Sequence, residues 1–176
     1  MKFNLKLAAL SFLSLLTISP VLLSAHSASA QPAAESARGM SGSYLGGGLS
    51  VGLGNPDGDA VVGGNVQGRL NSSRLPLSLR GAALFNGDNA ALMPLVTYDI
   101  GIAPNTNLYV GGGYSFTVNH NQPSPLGDKD APVITAGIET AVRPHVVVYG
   151  DAKVGINAYR DSRTATSLQV GAGYRF

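Results

Sequence analysis

From Ser43 to the last residue the chain alternates apolar and polar positions in segments of about ten residues, and clusters of Gly, Asn, Asp and Pro separate one segment from the next. Side chains in an extended strand point to opposite sides in turn, so a period of two predicts strands, and the clusters predict turns. Eight such segments can be drawn, at 43–53, 61–71, 75–85, 91–100, 107–117, 132–142, 145–156 and 166–176. None carries a helical period over a useful length, and their many Gly, Val and Thr residues weaken any helix. The prediction is an all-β meander of antiparallel strands.

The two faces differ in the same way from strand to strand. One carries Leu45, Leu49 and Val51, then Val62, Val66 and Leu70, then Leu77 and Leu79, and continues through Leu92, Val96, Leu108, Val110, Ile134, Ile138, Val146 and Val148. The other carries Asn65, Gln67, Arg69, Ser78, Arg80, Thr97, Asp99, Thr135, Glu139, Tyr149, Asp151, Lys153, Gln169 and Arg175, interleaved with glycines. A soluble barrel would turn the apolar face inward and coat its outside with charge, since soluble domains average about 25% charged residues. This chain has 12%. Its polar face is a poor coat for a soluble protein and a good filling for a narrow lumen, so the apolar face is expected to meet lipid. Strands of about 9–11 residues suffice to cross a bilayer when tilted.

The N-terminus agrees with export. Lys2 and Lys6 precede an apolar stretch from Leu7 to about Leu23, and Ala28-Ser29-Ala30 has the small-residue form of a signal-peptidase site. Residues 1–30 therefore read as a signal peptide and residues 31–41 as a flexible periplasmic lead-in to a barrel over 42–176. Ser11, Ser14, Thr17, Ser19 and Pro20 interrupt the stretch, which argues against a retained spanning helix. Without Cys there is neither a lipidation site nor a disulfide. Of the twelve Lys and Arg residues, Lys2 and Lys6 leave with the signal, so ten face ten Asp and Glu and the processed chain is formally neutral. That balance recommends neither nucleic acid nor a polybasic membrane patch as partner.

Loop lengths give a polarity. With a periplasmic N-terminus, the connections at 55–59, 86–90, 119–131 and 157–165 face outward, and those at 72–74, 101–106 and 143–144 face the periplasm and are shorter on average. Phe85, Tyr114 and Phe116 then mark the outer interface, and Tyr98, Tyr174 and Phe176 the inner one. At the C-terminus Leu168, Val170, Ala172, Tyr174 and Phe176 share one face up to the final residue. That ending looks like the assembly signal of outer-membrane barrels, read by the barrel-insertion machinery. With the signal peptide, the eight strands and the loop alternation, the chain resembles the small eight-stranded outer-membrane barrels of the OmpA transmembrane-domain and OmpX-like superfamily. The resemblance implies a monomer in the outer membrane of a diderm bacterium, surrounded by outer-membrane lipid and lipopolysaccharide. It also implies a structural or adhesin-like surface role, with a narrow porin-like channel or a lipid A-modifying enzyme as the alternatives.

On the polar face Arg69, Arg80, Lys153 and Arg175 can meet Asp99, Glu139 and Asp151. Eight strands enclose an interior that side chains can fill. These charges either form a paired network that plugs the barrel or pair weakly in lumen water. Inward glycines such as Gly46, Gly48, Gly111, Gly113, Gly137, Gly171 and Gly173 are expected to make room for the long Arg and Lys chains. Nothing indicates a catalytic centre, a cofactor or a metal. His120, in the longest loop, and His145, at the periplasmic edge, have no paired nucleophile in sequence. Asp57, Asp59, Asp88, Asp128, Asp130 and Asp161 suit ordinary turns. The runs 46–48 and 111–113 lack the following helix of a phosphate-binding loop. Cleavage after Ala30 is the testable outcome: mass spectrometry of the envelope form should find Gln31 as its first residue.

Overall fold

Eight antiparallel strands follow one another round a closed cylinder in the computed structural model, which describes residues 39–54, 59–72, 74–87, 89–120 and 122–176. The strands are β1 (Tyr44–Leu53), β2 (Val61–Asn71), β3 (Leu77–Phe85), β4 (Ala90–Ala103), β5 (Thr106–Thr117), β6 (Ala131–Arg143), β7 (Val146–Gly155) and β8 (Ala165–Arg175). Each pairs with the next, and β1 closes the ring on β8, with Leu45 opposite Tyr174, Leu49 opposite Val170 and Val51 opposite Leu168. The all-β, eight-stranded up-and-down barrel expected from the alternation is the fold observed.

Boundaries differ where backbone chemistry intervenes. The third strand was expected from Leu75 but begins at Leu77, because Pro76 cannot donate to a ladder and sits in the preceding bend. β4 runs on to Ala103 past a register shift between Gly101 and Ala103, and β6 carries a second shift between Ala141 and Arg143. The predicted signal peptide lies outside the described residues, as do residues 31–38 of the lead-in. The last lead-in residues are held, not free: Gly39 N donates to Ala103 O at 3.0 Å, and Met40 is buried in the mouth of the barrel. Gly39 has φ +104°, and a Cβ there would stand 2.6 Å from Asn107 Oδ1, so the entry needs glycine.

The apolar face points outward all round. Leu49 is 65% exposed and Val170 61%, with Leu45, Leu70, Leu79, Val96, Ile134 and Ile138 alongside. Water would not tolerate an apolar belt of this extent on a monomer, whereas hydrocarbon demands it. Inside are Ser50, Asn65, Gln67, Arg69, Ser78, Arg80, Thr97, Glu139, Lys153 and Gln169, all buried. One end of the barrel carries the β2–β3, β4–β5 and β6–β7 turns with the C-terminus; the other carries the longer loops.

Pro94 makes one weak point in the ladder. Val118 N donates to Ala90 O at 2.9 Å, and hydrogen-bonded pairs alternate along an antiparallel ladder, so Pro94 falls in a bonded position opposite Tyr114. It has no N–H to offer, and the paired register of β4 and β5 lapses at Met93 and Pro94. In hydrocarbon the Tyr114 carbonyl has no water as substitute. Pro94→Ala is therefore expected to stabilise the barrel by about 1 kcal/mol, read as a higher urea midpoint for unfolding from lipid vesicles.

Candidate functional site

Register puts two like charges side by side: Arg69 on β2 is the direct partner of Arg80 on β3, and both side chains point into the lumen. Such a pair repels unless anions are placed between the two groups. Asp99 on β4 and Glu139 on β6 supply them. Arg69 reaches Asp99 Oδ2 at 2.8 Å and Glu139 Oε1 at 2.8 Å; Arg80 reaches Asp99 Oδ1 at 3.1 Å and Glu139 Oε2 at 2.8 Å. Each carboxylate bridges both guanidiniums, so the four groups close a ring that crosses the lumen from β2, β3 and β4 to β6. The planar guanidinium fork suits this, where a lysine would not.

The remaining donors are fixed as well. Arg69 Nε donates to Ser78 Oγ at 2.9 Å, Arg80 Nε to Thr97 Oγ1 at 2.9 Å, and Ser78 Oγ to Asp99. Asn107 Nδ2 donates to Glu139 Oε1 at 3.1 Å and to Met40 O at 2.9 Å, while Asn107 Oδ1 accepts from Met40 N at 2.9 Å. The lead-in is thereby tied to the network and closes the turn end of the lumen.

A second centre lies further along the axis. Lys153 Nζ contacts Asp151 Oδ1 at 2.6 Å and donates to Gln169 Oε1 at 2.9 Å and Gln67 Oε1 at 3.2 Å. Tyr109 OH donates to Asp151 Oδ2 at 2.8 Å. Three cations therefore meet three anions in the lumen, and the core is neutral. The structure brings together six of the seven charges expected there. Arg175 stands apart: its Nε donates to Pro144 O at 2.9 Å at the turn-end rim.

The glycines serve a different group from the one expected. A Cβ on Gly137 would meet the Tyr109 hydroxyl at 2.6 Å, one on Gly171 the Tyr149 hydroxyl at 2.4 Å, and one on Gly173 the Tyr44 ring at 3.1 Å. These three make room for tyrosine rings of neighbouring strands, whereas Gly46, Gly48, Gly111 and Gly113 lie against neighbouring backbone carbonyls, and none of the seven faces an Arg or Lys stem. Tyr44 and Tyr149 stack with centroids 5.9 Å apart, and the Arg80 guanidinium lies 3.7 Å from the Tyr109 ring centre. Tyr44 and Tyr109 were not among the expected lumen residues, although both stand at inward positions of their strands.

The loop half of the lumen holds an apolar cluster among buried hydroxyls such as Ser50, Ser115 and Ser167, and the sequence did not announce that cluster. Leu84, Met93, Leu95, Val133 and Tyr159 form one buried cluster with Leu126, which is 0% exposed although it comes from the longest loop. That loop folds into the mouth. Asn89 Nδ2 donates to Asn119 O at 2.7 Å, Asn86 Nδ2 to Pro123 O at 2.9 Å, and Asp128 N to Ala158 O at 3.0 Å, lacing it to both neighbouring loops. Gly127, at φ +104°, turns the chain back beneath Ala158. The available signal was Leu126 itself, the single large apolar residue between Asn119 and Asp130. Burial in this cap pushes the Tyr159 hydroxyl pKa up, and a hydrogen bond from Arg163 holds the exposed Asp161 carboxyl below its usual range.

His120 Nε2 sits 3.3 Å from Asp130 Oδ1, and its carbonyl accepts from Arg160. His145 stacks on Tyr174, and its Nδ1 lies 3.1 Å from Arg175 O. Neither imidazole has a hydroxyl partner among these contacts. Of the terminal signal, Leu168, Val170, Ala172, Tyr174 and Phe176 all point outward, Tyr174 at 60% and Phe176 at 68% exposure. Among the described residues no cluster of His, Cys, Asp and Glu could hold a metal ion.

The family described as outer membrane protein beta-barrel domain matches residues 20–176. The chain belongs to this family. Solved structures with the same fold include Ail, the attachment invasion locus protein of Yersinia pestis, with 19% identity and a TM-score of 0.52 over 78% of this chain and 100% of that one. Neisserial surface protein A matches at 14% identity and a TM-score of 0.54, over 77% of this chain and 98% of that one. A de novo designed transmembrane barrel matches at 17% identity and a TM-score of 0.53, over 76% and 95%. No curated protein matches by sequence. Membership places the barrel in the outer membrane, where short turns face the periplasm and longer loops face out.

The network sets two stability outcomes of opposite sign. Glu139→Gln strips a charge from the ring and leaves guanidiniums buried without it, and is expected to cost about 3–5 kcal/mol. Thr135→Val removes a buried hydroxyl that has no hydrogen-bond partner among the described residues, and is expected to leave stability unchanged or raise it. Urea unfolding from vesicles, followed by tyrosine fluorescence, checks both.

Proposed function

We propose that this outer-membrane barrel is a closed structural or adhesin-like protein that acts through its outer loops, not a channel or a catalyst. The observation that carries the reading is the filling of the lumen at both ends. The ring of Arg69, Arg80, Asp99 and Glu139, with Met40 beneath it, occupies the turn end, and Leu126 and Tyr159 occupy the loop end. A solute path would have to break buried ion pairs and lift the laced loop. What remains for contact with the outside is the cap surface, where Lys129, Asp130, Arg160, Asp161 and Arg163 offer charges of both signs. The fold it shares with an attachment invasion locus protein supports this use of the cap. The same reading takes a monomer, with lipopolysaccharide and outer-membrane lipid around its wall and the barrel-assembly machinery as the reader of Leu168 to Phe176.

Two measurements test it. Planar bilayers containing the refolded protein should show no stable conductance steps. Bacteria displaying it should adhere to host cells or matrix above a strain without it. Exchange of Lys129, Arg160 and Arg163 for serine should remove that gain while heat-modifiable gel migration shows the barrel intact. Large steady channels, or adhesion indifferent to the cap charges, would overturn the proposal.

A further inference from the structure

The ionisable side chains at the two ends of the barrel are not distributed alike. Among the described residues the loop end carries Asp59, Asp128, Asp130 and Asp161 beside its cations, whereas the turn-end rim carries Arg74, Arg143, His145 and Arg175 with no Asp or Glu. The carboxylates nearest that end, Asp99 and Glu139, are already spent on Arg69 and Arg80 inside the lumen. The Phe176 backbone is occupied with Ser43 at the start of β1.

Two of these cations share a recess. The register shift that follows Ala141 pairs Ala141 with Val147 and Arg143 with Val146, so Val142 is the extra residue of a bulge. Asn105, at φ 58°, brings its carbonyl to Ala141 N at 2.9 Å. The result is a recess of about 320 Å³ lined by Asn105, Ala141, Val142, Arg143, Pro144 and Arg175. That lies within the range of small-ligand pockets, about 300–1,000 Å³. Arg143 is exposed and makes no ion pair among the described residues. Arg175 is positioned from behind, Nε on Pro144 O at 2.9 Å and one terminal nitrogen on Ser41 O at 3.4 Å, which leaves its other terminal nitrogen to a ligand.

The height of the recess on the wall identifies the ligand. Tyr174 stacks on His145 with centroids 5.4 Å apart and 60% of its surface exposed, the position of an interfacial aromatic. Val142, 54% exposed on the lipid side, is part of the wall. The site thus has guanidiniums at headgroup level and an apolar flank at the first methylenes. We propose that this recess binds the phosphodiester of an anionic phospholipid in the periplasmic leaflet, with Arg143 and Arg175 holding the phosphate. A free phosphate offers the same kind of anionic oxygens but has no use for the Val142 flank. The site stands apart from the outer cap, so failure of the adhesion reading leaves it untouched.

Native mass spectrometry of the refolded, full-length mature barrel tests it, with phosphatidylglycerol and phosphatidylcholine of identical acyl chains offered together. The wild type is expected to retain phosphatidylglycerol in preference, and Arg143→Gln to reduce that preference about tenfold, the weight of one charge-assisted hydrogen bond. Arg74→Gln removes the same charge from the same end and should leave the preference unchanged. No preference in the wild type, an unchanged preference in Arg143→Gln, or an equal loss in Arg74→Gln overturns the proposal. Displacement of the lipid by inorganic phosphate alone would assign the recess to a free anion and overturn it as well. If Arg143→Gln fails to fold, Arg143→Lys keeps the charge without the fork; it is expected to lower the preference by a smaller factor, and no change overturns the site.

Discussion

In hydrocarbon a backbone N–H or C=O has no water to turn to, so every strand must have a neighbour on each side, and the first strand must find the last. That requirement fixes the pairing of β1 with β8 and makes the sheet a cylinder. Closure in turn sets the diameter, and eight strands leave an interior only wide enough for side chains. The inside-out distribution of Leu49 and Val170 against Arg80 and Glu139 follows from the same constraint, with lipid on one side of the wall and a crowded lumen on the other.

A lumen this narrow cannot hold charge loosely. Arg69 and Arg80 stand side by side because the β2–β3 register places them so, and the cost of burying them falls only because two carboxylates each bridge both. Removing water strengthens each of those contacts and makes any unpaired member expensive. The tyrosines fill what the ion pairs leave open, each lying over a glycine on the next strand, so small and large residues interlock around the axis. Polar chemistry here serves packing and closure.

The loop end is closed by the opposite means, an apolar side chain delivered from outside. Leu126 reaches the cluster of Leu84, Met93 and Leu95 because loops 86–90, 119–130 and 156–164 are bound to one another through backbone carbonyls and Asn, Asp side chains. Among the described residues these three loops form a lid over the mouth.

The alternation of apolar and polar residues determined the strands, their number and which residues share a face, because a period of two leaves a strand no choice of face, and the low charge content with the export signal decided which face meets lipid. Arg69, Arg80, Asp99, Glu139, Asp151 and Lys153 could be placed in the lumen for the same reason. Which cation of the ring met which anion could not, since the partners lie 19 to 70 residues apart and meet through shear and register across the axis. Arg175 has the same inward parity as the others and still falls outside, because parity says which way a side chain points and not how high it stands on the wall. Leu126 and Met40 belong to segments without alternation, so only the tertiary structure could decide that they seal the two mouths: their burial is set by the cavity they enter, and that cavity exists only once the ring has closed.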